Sequence, residues 1–88
     1  MKHYQLLIQG KVQKVGYRYY AQKKALSLGL TGFVQNLPGG EVYIEVEGPE
    51  LELALFMDWC QEGPNLARVE RVKKKEAPVK AFMTFEIK

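Results

Sequence analysis

Cysteine is nearly absent from this chain. Cys60 stands alone, so no disulfide can form within it. A small domain without disulfides or an obvious set of metal ligands fits a reducing compartment, and a cytoplasmic protein is expected. Histidine is as scarce: His3 is the only one. A metal centre needs three or four ligands, so none is expected, and His3 reads as incidental rather than catalytic. Long apolar runs are missing as well. The N-terminal run, Leu6-Leu7-Ile8, is too short for a signal peptide or a membrane span, so no membrane partner is expected. There is no repeat, linker or low-complexity tract. With 88 residues the chain has room for one small domain, residues 1–88, and none for a cofactor domain, so no cofactor is expected.

What is present is ordinary for a globular protein. Apolar residues make up 47% of the chain, which excludes disorder. The net charge is only +3. That suits an anionic partner, but nucleic-acid binders carry a denser basic stripe. The one lysine run, Lys73-Lys74-Lys75, reads as an edge strand guarded against pairing with other chains.

The patterning alternates between periods of two and 3.6. Tyr4, Leu6 and Ile8 alternate as in a strand with a buried face. Tyr17, Ala21, Ala25 and Leu28 recur at helical spacing, and Gly29 supplies the stop. Residues 31–35 read as a strand. Pro38-Gly39-Gly40 is a turn, and residues 41–47 alternate cleanly with Val42, Ile44 and Val46 inward. Pro49, Glu50 and Glu52 open a second helix that buries Leu53, Phe56, Met57 and Cys60 and stops at Gly63-Pro64. A strand follows from Ala67. Residues 82–87 form the last, with Phe85 and Ile87 expected inside. This order predicts an α+β fold: a ferredoxin-like βαββαβ sandwich, an antiparallel sheet with both helices on one face and a short extra strand at the C-terminus.

The candidate site is the loop between the first strand and the first helix. Residues 10–18 read Gly-Lys-Val-Gln-Lys-Val-Gly-Tyr-Arg. A turn that brings a row of main-chain N–H groups and an arginine to a helix N-terminus suits a multiply charged oxyanion, such as phosphate. Gly16 permits a tight loop and close approach of a ligand. Tyr17 reads as a core helix residue, and Cys60 as core packing.

Two motifs resemble those of the acylphosphatase family. The first, G-x-V-Q-G-V-x-[FY]-R, is met by residues 10–18 at every specified position except Lys14, where the family has glycine. The second, G-[FYW]-[AVC]-[KRQAM]-N, then three residues, G-x-V, five residues and G, is met throughout by residues 32–48. The resemblance implies metal-independent hydrolysis of the carboxyl–phosphate bond of small acylphosphates, with inorganic phosphate as a product. It implies that Arg18 binds the phosphoryl group with amides of Gln13, Lys14, Val15, Gly16, Tyr17 and Arg18, and that Asn36 holds the attacking water. Such chemistry needs positioning and charge stabilisation more than a covalent partner. A monomer is expected. The alternatives are a non-catalytic phosphate- or carbamoyl-phosphate-binding module, in which Lys14 disables turnover, and an RNA-binding domain of the same element order.

Overall fold

The clean alternation after Gly40 decides the centre of the sheet. In the computed structural model, which describes residues 1–88, strand β3 (Val42–Gly48) turns Val42, Ile44 and Val46 to one face, all fully buried. Strand β1 (Lys2–Lys11) pairs antiparallel with it and sets Leu6 against Ile44 and Ile8 against Val42. Strand β2 (Thr31–Asn36) lies antiparallel on the other side, with Val34 opposite Ile44. Strands β4 (Arg68–Ala77) and β5 (Phe85–Ile87) occupy the two edges, in the order β4-β1-β3-β2-β5.

Two helices cover the apolar face. Helix α1 (Tyr17–Ser27) buries Tyr17, Ala21 and Ala25, and helix α2 (Glu50–Glu62) buries Leu53, Phe56 and Cys60. Full burial of each larger apolar side chain is worth about 1.5–3 kcal/mol. The ferredoxin-like plan read from the sequence is therefore present. The lysine run lies in β4, on an edge. Gly32 earns its place in the second motif sterically: at φ 141° a Cβ there would run into the Glu45 carbonyl oxygen of the neighbouring strand.

Three expectations are corrected. The sheet is mixed, because β5 runs parallel to β2, with Gly32 opposite Phe85 and Val34 opposite Ile87. The chain leaves β4 beside the start of β1, where Ala77 pairs with His3, and residues 78–84 carry it to the far edge. β5 then starts beside the beginning of β2 and runs the same way. The last strand is also shorter than residues 82–87, since the N–H of Phe82 is drawn to the Glu47 carboxylate, 3.1 Å away. Ile87 is exposed rather than buried. It shares the face of Phe85 but lies at the sheet end, beyond the helix-covered core.

His3 is not incidental. It is fully buried on the face away from the helices, against Glu45 and Glu47. Period-two alternation places Tyr43, Glu45 and Glu47 on that face.

Candidate active site

β1 ends at Lys11 and α1 begins at Tyr17, so five residues make the turn between them. Two of them take left-handed backbone angles: Lys14 at φ 64° and Gly16 at φ 81°. Gly16 is the N-cap of α1 and gives it no side-chain cap, and no acidic residue lies in its first turn. No protein acceptor engages the main-chain N–H groups of residues 13–18. The positive end of the helix dipole is thus left with free donors and no internal counter-charge, an arrangement that favours an anion.

Asn36 comes to this loop from the end of β2. It pairs with Val42, whose side chain lies on the helix-covered face. Asn36 Oδ1 is shielded from solvent and accepts no hydrogen bond from the protein. Leaving such an acceptor unpaired costs about 1–3 kcal/mol. Lys14, Gly16, Tyr17, Arg18 and Asn36 line one hollow of about 220 Å³, with Ile87 at its rim. The guanidinium of Arg18 donates to the main-chain oxygen of Lys88 at 3.0 Å, and the Lys88 N–H donates to the Val34 carbonyl at 2.8 Å. β5 therefore seats the arginine as well as closing the rim.

The expected donors of this loop are main-chain amides, and several of its side chains are occupied elsewhere. The Val15 side chain joins the core. Tyr17 donates its hydroxyl to the Cys60 carbonyl at 2.8 Å, and burial pushes its pKa far above the ordinary tyrosine value. It is a core residue and no acid–base group. The Gln13 side chain turns away and donates to the carbonyls of Leu37 and Glu41, at 2.8 and 2.9 Å. It ties the loop to the turn that follows Asn36. Neither that tie nor the parts played by Ile87 and Lys88 had a signal in the sequence, because each depends on contacts between distant segments.

The acylphosphatase family model matches residues 4–87. This chain belongs to the acylphosphatase family. An acylphosphatase of Thermus thermophilus is 50% identical over 82 residues, spanning 90% of this chain and 93% of that protein. One from Archaeoglobus fulgidus is 41% identical over 83 residues, spanning 94% and 93%. The crystal structure of acylphosphatase from Bacillus subtilis matches with a TM-score of 0.96 and 33% identity, covering 99% of this chain and 98% of that one. Acylphosphatases hydrolyse acylphosphates, and this chain is an acylphosphate phosphohydrolase. The RNA-binding and non-catalytic alternatives give way to that activity. In this acylphosphatase the departure at Lys14 carries a conformational cost. A left-handed angle that glycine adopts freely costs another residue about 1–2 kcal/mol.

Proposed function

We propose that this acylphosphatase grips the phosphoryl group of a small acylphosphate through Arg18 and the main-chain amides of residues 13–18, while Asn36 holds the attacking water. One observation carries the reading. The unengaged amide row lies beside a single hollow that both Arg18 and Asn36 line.

The water oxygen bonds to phosphorus as the bond from phosphorus to the acyl oxygen breaks. The electron pair leaves with the carboxylate, and the water proton passes to the phosphate product or to solvent. A carboxylate is a good leaving group, so no strong general acid is called for. Charge on the equatorial oxygens is met by the amides, which need no reorganisation, and by Arg18, which stays protonated at every working pH. Asn36 has one acceptor oxygen and two donor hydrogens, so it can orient a water without acting as a base. These groups supply the charge stabilisation without a metal. The reading extends to a single domain over residues 1–88, acting as a monomer in the cytoplasm, without nucleic acid. No helix is long and apolar enough to cross a membrane.

Hydrolysis of benzoyl phosphate by Arg18→Ala and Asn36→Ala tests the roles. Each variant should keep the wild-type far-ultraviolet circular dichroism and lose about 10²–10³-fold in kcat. Activity that survives both changes would remove these residues from the mechanism.

A further inference from the structure

The 13–18 loop has a second hollow on its other flank, about 460 Å³, larger than the one that holds Arg18 and Asn36. Its walls are Val15 of the loop, Tyr20 of α1, Trp59 of α2, and Gly63, Pro64, Asn65 and Leu66 of the turn before β4. The two hollows take alternate residues of the loop: Lys14 and Gly16 face the first, Val15 the second. Their far walls lie toward opposite sides of the sheet. The first is bounded by Asn36 of β2 and Ile87 of β5, and the second by the end of α2 and the turn that leads into β4 at the other edge.

The second hollow is firmly built. The Trp59 ring packs against Tyr17 at 5.2 Å and against Phe56 at 6.2 Å between centroids. The Tyr20 ring lies against Gly16, so close that a Cβ there would meet Cε2 at 3.3 Å. Hydrogen bonds from the N–H of Gly63 to the Trp59 carbonyl and from the N–H of Ala67 to the Pro64 carbonyl, at 2.8 and 2.9 Å, fix the turn that presents Leu66. Leu66 is nonetheless 74% exposed and Tyr20 49% exposed. No acidic or basic side chain lines the hollow.

We infer that this hollow receives the acyl group of the substrate and selects aromatic or branched apolar acylphosphates. The inference rests on the phosphate-binding reading above. Displacement at phosphorus places attacker and leaving group roughly in line. With the water held by Asn36 on one flank of the loop, the carboxylate departs over the other, toward Val15, Tyr20 and Leu66. The volume is that of a small-molecule pocket; its lining is mixed, and within it Val15, Tyr20, Trp59 and Leu66 offer an apolar tail its contacts while Asn65 adds a neutral polar group. An acyl group that carries a second negative charge finds no cation there.

The experiment compares kcat/KM for benzoyl phosphate and acetyl phosphate in the wild type, in Leu66→Ser, in Tyr20→Ser and in the conservative Leu66→Met. Leu66 and Tyr20 are exposed enough for these changes to leave the fold intact. The benzoyl-to-acetyl ratio should fall about tenfold in each serine variant, through KM more than kcat, and return in Leu66→Met. A ratio that stays at the wild-type value in both serine variants overturns the inference. Failure of the phosphate-binding reading shows separately, as activity that survives Arg18→Ala.

Discussion

His3 and Glu47 face each other across the β1–β3 pair, with Nδ1 3.2 Å from Oε2 and neither side chain reached by solvent. The same ring places Nε2 2.9 Å from Glu45 Oε1 and Nδ1 2.8 Å from the Pro78 carbonyl oxygen. Glu47 also accepts the main-chain N–H groups of Lys80 and Phe82. This polar group clasps residues 78–84 onto the sheet face away from the helices. That segment delivers β5 to Arg18, so the clasp supports the candidate site from the opposite end of the sheet.

Glu47→Ala removes one of the three groups around His3 and leaves the Lys80 and Phe82 N–H groups without an acceptor. Each buried polar group left without its partner costs about 1–3 kcal/mol. Urea unfolding should record a loss of that order. A midpoint within error of the wild type would show that the clasp contributes nothing to stability.

Acid should loosen the same region. Burial by itself raises the Glu45 pKa, but the Tyr43 hydroxyl at 2.7 Å, Lys80 at 3.3 Å and His3 outweigh it and hold the carboxyl below its ordinary value. The unfolded chain then binds more protons than the folded one as pH falls, so this contribution is present at neutral pH and drains away below the usual glutamate range. Tyr43 acts at the alkaline end. Burial and its bond to Glu45 push its pKa up to about 12, so the folded state holds the proton longer and stability falls from the ordinary tyrosine value near 10 up to about 12. Urea midpoints measured across pH should show both limbs; Glu45→Gln should remove the Glu45 share of the acid limb and only weaken the alkaline one, because burial is the larger cause of the Tyr43 shift. An unchanged acid limb in that variant would refute the assignment.

Lys14→Gly should stabilise the fold slightly. Relief of the left-handed angle returns about 1–2 kcal/mol, offset by about 0.4–1 kcal/mol of extra unfolded-chain entropy. The lost charge should raise KM for acylphosphate and the inhibition constant of phosphate together, roughly two- to fivefold, as removal of an exposed charge allows. Because that charge binds substrate and product alike, kcat should move less. A variant that loses stability would show that the Lys14 side chain makes up for its backbone strain.

Gln13→Ala removes both ties between the loop and the turn beyond Asn36. Each hydrogen bond is worth about 1 kcal/mol net. Displacement of a reacting group by about 1 Å can cost 10²-fold in rate, so a fall in kcat of roughly tenfold is expected, with KM less affected. Steady-state kinetics beside urea unfolding separate the two effects. Lower stability with an unchanged kcat would confine Gln13 to a purely structural part.

Much of the fold was legible because its periods are clean. Val42, Ile44 and Val46 announce their face, and Tyr17, Ala21 and Ala25 announce theirs. Glu45 and Glu47 fall on the opposite face by the same alternation, and only the folded chain shows that residues 78–84 cross over them and make a covered polar face. The parallel pairing of β5 was hidden for the same reason, since its partner is chosen by a segment without periodicity. At the candidate site, the paired motifs single out Arg18 and Asn36, and the hollow that both line had no signal in the sequence. Gln13 stood in the right loop, but only the folded chain reveals that its side chain turns back to Leu37 and Glu41.

Cys60 has a practical use. Its thiol is fully enclosed against α2's core face, and burial pushes its pKa up to about 12 even with Tyr17 beside it. In the native state it is neither reachable nor a thiolate, so a thiol reagent can react only when the helix lifts away from the sheet. The rate of modification at a single sulfur therefore counts native-state openings of this small enzyme, with no label to be introduced.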